Sequence, residues 1–98
     1  MHEPVIQSNQ TDLLMRAVLK LKDIDDAYRF FEDICTIQEL KSMAQRIEVA
    51  RMLREKITYH DIAKQTGAST ATISRVNKAL LYGANGYTIA LDAIDAEE

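Results

Sequence analysis

Between Thr58 and Leu80 the chain reads TYHDIAKQTGASTATISRVNKAL, with Gly67 near its centre. Ile62 and Thr66 lie four apart before the glycine. Ile73, Val76 and Leu80 repeat at three and four after it. This spacing predicts two short amphipathic helices joined by a tight turn, a helix-turn-helix over about residues 58–81. Gly67 can take the positive φ that such a turn demands. Ala68 closes the corner, and Ala63 is small where the second helix crosses. Ser69 or Thr70 is the expected cap of the second helix, accepting a backbone N–H. Such a hairpin presents its second helix to a DNA major groove by the N-terminal end. The competing reading is a plain structural corner, since any αα-hairpin needs apolar spacing and often a glycine.

The rest of the chain constrains the context of that hairpin. Ninety-eight residues, 47% apolar with one Pro and three Gly, fit one all-α domain over 1–98 and argue against disorder. No apolar run approaches the roughly 20 residues of a membrane span. The N-terminal MHEPVIQSNQTD lacks the basic and apolar regions of a signal peptide. Cys35 is the single cysteine, so no internal disulfide forms and the expected compartment is the reducing cytoplasm.

Net charge is −3, but it is unevenly spread. Residues 1–36 sum to −3, residues 37–57 to +2, residues 58–82 to +2 and residues 83–98 to −4. The positive potential therefore falls on the hairpin, where Lys64, Arg75 and Lys78 outnumber Asp61. A mild basic face predicts moderate DNA affinity with few phosphate contacts.

About six helices are expected. Residues 1–10 look flexible. A first helix over Thr11–Lys22 has Leu13, Leu14, Met15, Ala17, Val18, Leu19 and Leu21 all round its surface, which calls for cover on several sides. A second subunit is the simplest cover, and ordinary packing with some exposed apolar surface the alternative. A second helix, Asp25–Ile34, has Asp23 as a cap and Phe30 and Phe31 on its apolar side. Thr36-Ile-Gln-Glu39 has the form of a capping box and opens a helix to about Glu55. Leu40, Met43, Ala44, Ile47, Ala50 and Leu53 make its apolar face. Thr58 followed by Asp61 caps the first hairpin helix. Gly83, Asn85 and Gly86 end the second, and a last helix runs over Tyr87–Ala93 before a solvated acidic tail.

ICTIQELKSMAQRIEVARMLREKITYHDIAKQTGASTATISRVNKAL resembles the core of the Trp repressor family, in particular its YerC/YecD-type branch. The likeness rests on Cys35-Thr36 with Glu39-Leu40, on Arg46 followed by Ile47, Ala50 and Leu53, and on Gly67-Ala68 leading into Ala71-Thr72-Ile73-Ser74-Arg75. It covers about residues 30–80 well and the N-terminal helices more loosely. It implies six helices in an intertwined homodimer, and a homodimer would double the basic patch. It also implies an effector pocket, because Arg46 and Arg75 match the arginines that sandwich the Trp repressor's corepressor. Val76 stands where that repressor has a glycine against the indole, and Ala79 where it has a serine that helps hold the amino group. Both departures argue against tryptophan and leave any small-molecule corepressor unknown. The alternatives are an ion pair of Arg46 with Glu39, Glu48 or Asp61, and a phosphate contact or a solvated position for Arg75.

The expected DNA contacts are Thr58, Tyr59, His60, Lys64, Ser69, Thr70, Ala71, Thr72, Ser74 and Lys78. Thr70, Ala71, Thr72 and Ser74 are short and let the helix approach base edges closely or through water. Thr58 and Tyr59 precede the first helix, where backbone N–H groups meet phosphates. Lys64 and Lys78 suit phosphates. His60 matches a DNA-contacting arginine of the Trp repressor and otherwise is an exposed helix residue. Thr72 and Ser74 could equally serve as caps or solvated hydroxyls. No metal-ligand cluster, phosphate loop or nucleophile-base pair stands out, and an enzyme is not expected. Cys35 reads as a small core residue, and Asp23, Asp25 and Asp26 as helix-start charge. The chain thus reads as a homodimeric, cytoplasmic DNA-binding transcriptional regulator, a repressor by promoter occupancy. The alternative is a helical protein-interaction module on the same fold with little or no DNA binding.

Overall fold

Six α-helices and no strand make up residues 2–97, the part of the chain that the computed structural model describes. They are α1 (Asn9–Leu19), α2 (Ile24–Ile34), α3 (Ile37–Arg54), α4 (Tyr59–Thr66), α5 (Thr70–Tyr82) and α6 (Gly86–Glu97). The all-α expectation holds, with two helices displaced or extended. The chain divides into two compact units, Met1–Leu40 and Lys41–Glu98.

In the first unit, Ser8 caps α1 by accepting the Thr11 N–H at 3.0 Å, so the helix starts two residues earlier than expected. Residues 9 and 10, expected to be flexible, are helical. The helix also stops earlier, at Leu19, where the Lys20 and Leu21 N–H groups fold back onto Ala17 and Val18 carbonyls. Asp23 caps α2 by accepting the Asp26 N–H at 2.9 Å, as its position implied. Phe30 and Phe31 meet edge to face, ring centres 5.4 Å apart. Both are half-buried rather than deep in a core. No residue of α1 or α2 is fully buried, and Leu19 and Ile24 are 81% and 75% exposed.

Thr36 and Glu39 close the capping box at the start of α3 in both directions. The Thr36 N–H donates to Glu39 Oε1 at 2.8 Å, and the Glu39 N–H donates to Thr36 Oγ1 at 3.1 Å. The Thr36 backbone N–H on the carboxylate, and to a lesser degree the Thr36 hydroxyl, favour the ionised form and hold the Glu39 carboxyl below its usual range.

The second unit contains the buried core: Val49, Ala50, Met52, Ile62, Ala68, Ile73, Val76 and Leu91. Ile47, Leu53, Ile57, Tyr59, Ala63, Leu80 and Tyr87 pack against it. The buried side of α3 overlaps the expected face, since Ala50 is buried and Ile47 and Leu53 pack against the core, but it also takes in residues that the expected face left out. Val49 and Met52 go inside with Ala50, whereas Ala44 is exposed. Apolar residues occur on more than one side of α3, so a 3.6-residue period fits two stripes nearly equally.

The C-terminus of α3 has a Schellman arrangement, with Ile57 N–H on the Met52 carbonyl and Lys56 N–H on the Leu53 carbonyl. Lys56 occupies its left-handed position, φ 65°, usually a glycine's place. The last helix is longer than expected and takes in most of the acidic tail. Arg54 of α3 pairs with Asp92 and Asp95 on successive turns of α6, which offsets the cost of acids near a helix C-terminus. Ala90, Ala93 and Ala96 add intrinsic helix preference.

Candidate nucleic-acid interface

The hairpin of α4 and α5 is built from local bonds and a shared core. The Thr58 hydroxyl accepts the Asp61 N–H at 3.2 Å and starts α4. Gly67 ends α4 at φ 74°, ψ 5°, the left-handed conformation the turn was expected to need. The Thr66 hydroxyl donates to the Ile62 carbonyl at 2.7 Å and accepts the Ala68 N–H at 3.1 Å. Gln45 of α3 donates through Nε2 to the Thr66 carbonyl at 3.1 Å and fixes the corner from outside. Of the two expected caps of α5, Ser69 serves: its hydroxyl accepts the Thr72 N–H at 3.1 Å. Ile62, Ala68, Ile73 and Val76 then set the crossing of the two helices by burial.

This burial decides which side of α5 faces out. Thr70, Ala71, Ser74 and Lys78 are exposed, and so is Arg75. Ala71, Ser74, Arg75 and Lys78 follow an i, i+3, i+4, i+7 pattern and form one stripe. Thr72 is half-buried, and its hydroxyl is bonded to that of Ser69 at 3.1 Å, so it belongs to the cap. On the α4 side, Thr58, His60 and Lys64 are exposed, while Tyr59 is half-buried against the core. The expected contact residues therefore separate into an exposed group, in which Thr58 and Ser69 also cap the helices, and two half-buried ones, Tyr59 and Thr72.

None of Arg46, Arg75 and Val76, the residues matched to an effector pocket, lines the cavity of about 420 Å³ in this unit. Arg46 is exposed, and its Nε donates to the Ser42 carbonyl of its own helix at 3.4 Å. Glu48 pairs with Arg51, and Glu39 is held by Thr36, so neither supplies the ion pair considered for Arg46. Val76 is 2% exposed and lies in the core. That cavity opens instead among Ile47, Ala79, Ala84, Gly86, Tyr87 and Ala90, and its wall is apolar. Ala79 brings it no hydroxyl where the resemblance placed a serine.

The carboxylates of Asp23, Asp25 and Asp26 lie within 4.8 Å of one another. Each has a structural partner: Asp23 caps α2, Asp25 pairs with Arg29 at 2.8 Å, and Asp26 accepts the Lys22 N–H at 3.1 Å. Cys35 is a half-buried free thiol at the end of α2.

Residues 9–95 match the family model described as Trp repressor protein. The chain belongs to the Trp repressor family. It is 54% identical over 93 residues to the uncharacterized protein YerC of Bacillus subtilis strain 168, covering 95% of this chain and 89% of that one. The fold is similar to the crystal structure of a TrpR like protein from Eubacterium eligens ATCC 27750. That comparison gives a TM-score of 0.88 and 54% identity over 92% of this chain and 93% of the other. A Staphylococcus aureus crystal structure gives a TM-score of 0.88 at 41% identity, over 92% of this chain and 90% of that one. Within a Trp repressor family fold, Arg46, Arg75 and Val76 are thus placed with both arginines on the surface and the valine inside.

Proposed function

We propose that this chain is a sequence-specific DNA-binding transcriptional regulator, a repressor that occupies its operator as a homodimer. The observation that carries this reading is the outer stripe of α5. Its first residues expose only short side chains, Thr70, Ala71 and Ser74, with Arg75 and Lys78 behind them. A helix with so little bulk at its N-terminal end can lie against base edges, and its sequence information comes from hydroxyls, methyls and bridging water. Lys64 and Lys78 supply phosphate contacts, and the backbone at Thr58 and Tyr59 supplies N–H donors to a further phosphate. His60 offers a ring N–H to a base or phosphate.

The dimer accounts for the exposed apolar residues of α1 and α2, which a second copy covers. Two α5 helices about 34 Å apart then read a near-palindromic site. Tryptophan is not part of this reading. The side chain after Arg75 fills core space, and Ala79 cannot bond an amino group. Among the described residues no helix is long and apolar enough to cross a membrane, which suits a regulator acting on cytoplasmic DNA.

The test is selection of bound sequences from a random DNA pool, with and without L-tryptophan. A palindromic motif recovered in both arms is the expected result. A motif recovered only with tryptophan means that the amino acid is needed after all. No motif in either arm, with no salt-sensitive retention on heparin, favours a protein-interaction module instead.

A further inference from the structure

We propose that Arg75 is a base-reading residue that selects a guanine in each half-site, an inference that rests on the DNA-binding reading above. The direction of Arg75 follows from its neighbours. Ile73 and Val76 are buried at 0% and 2% exposure, so the side of α5 bearing Arg75 faces solvent. On that side Arg75 shares a stripe with Ala71, Ser74 and Lys78. Among the described residues no hydrogen bond or ion pair engages its guanidinium, and Asp61 is the one acid between residues 58 and 82. Its five N–H donors are available to a ligand.

Helix dimensions place those donors over bases rather than phosphates. At 1.5 Å per residue, Arg75 lies about 7.5 Å and Lys78 about 12 Å along α5 from Thr70. The major groove is about 12 Å wide. With the N-terminus of α5 inserted, Lys78 reaches the rim where the phosphates run, and Arg75 remains above the groove floor. The residues ahead of it on the stripe are too short to hold the helix away. Arg75 is the first long side chain in that position, and its planar fork matches guanine O6 and N7 in a bidentate pair. An effector clamp uses the same guanidinium differently, and neither Arg75 nor Arg46 lines the 420 Å³ cavity.

The experiment compares full-length wild type, Arg75→Ala, Arg75→Lys and Lys78→Ala by fluorescence anisotropy. Three kinds of duplex are used: the selected site, a set in which each half-site guanine is replaced in turn, and random sequence. Arg75→Ala is expected to lose about tenfold to a hundredfold on the selected site. It is also expected to become indifferent to one particular guanine and to keep nearly all its affinity for random DNA. Arg75→Lys should lose almost as much, because an ammonium cannot make the paired contact. Lys78→Ala should weaken binding to all three kinds of duplex alike. Equal losses on all duplexes for Arg75→Ala would make Arg75 a phosphate partner and overturn the proposal, as would an unchanged preference at every guanine. Binding of wild type to no duplex overturns the DNA-binding reading itself, and this inference with it.

Discussion

At three positions, Lys56, Gly83 and Gly67, the presence or absence of a Cβ is consequential. Lys56 sits at φ 65° in the Schellman turn after α3. An L-residue in the left-handed region costs about 1–2 kcal/mol, part of which glycine returns through its freer unfolded chain. Lys56→Gly is therefore expected to stabilise the protein by about 0.5–1 kcal/mol, read as a higher urea midpoint. Gly83 is the opposite case. Its φ of −86° is ordinary, but a Cβ there would lie 2.5 Å from the Ala79 carbonyl oxygen. The obstacle is backbone of α5, which cannot swing aside. Gly83→Ala should destabilise by about 1–3 kcal/mol. Gly67→Ala meets open space and bears only the left-handed cost of about 1–2 kcal/mol. If Gly67→Ala lowered the urea midpoint more than Gly83→Ala, this ordering by contact would be wrong.

At the level of the element, helix starts were written most clearly. Thr36 with Glu39, and Asp23, Thr58 and Ser69, each act as the side-chain chemistry of capping implies. The capping box also predicts a titration. Glu39 is held below the ordinary carboxylate range by bonds from Thr36. A lowered folded value means that its contribution to stability is complete above the ordinary carboxylate range. That contribution is lost as the pH falls through the lowered value. An NMR titration should show Glu39 titrating below the ordinary glutamate range, and Thr36→Ala should move it only part of the way back, because alanine keeps the backbone N–H that contributes most. What sequence left ambiguous was rotation and length. The core side of α3 depends on which of two apolar stripes meets α4 and α5, and no local rule decides that. The length of α6 depends on Arg54, thirty-eight residues before Asp92. A bond so distant in sequence leaves no trace in the periodicity around Tyr87–Ala93. The outward turn of Arg75 was legible in the 71, 74, 75, 78 spacing. Its match to an effector arginine pointed elsewhere.

For the whole molecule, the two units differ in what they bury. Lys41–Glu98 encloses eight buried apolar residues, whereas α1 and α2 enclose none. The proposed homodimer should sediment at twice the 11.1 kDa chain mass. Leu19→Glu combined with Ile24→Glu should shift it toward the monomer, because charge on surface meant for burial is costly. A wild-type protein sedimenting as monomer at micromolar concentration would remove the dimer from the proposal. The basic centre between acidic ends also follows from the sequence alone, and it sets a shallow salt dependence for DNA binding.

The bare outer surface of α1 has a consequence for dosage. If that surface closes only against a second copy, the DNA-competent form grows with the square of the chain concentration at low abundance. A cell that halves its supply of the protein then loses about three-quarters of the active species by mass action. The unpaired chains, with leucines exposed along α1, are the ones a protease would meet first. Operator occupancy would in that way report the abundance of the regulator itself, with a threshold, and without any small molecule to set it.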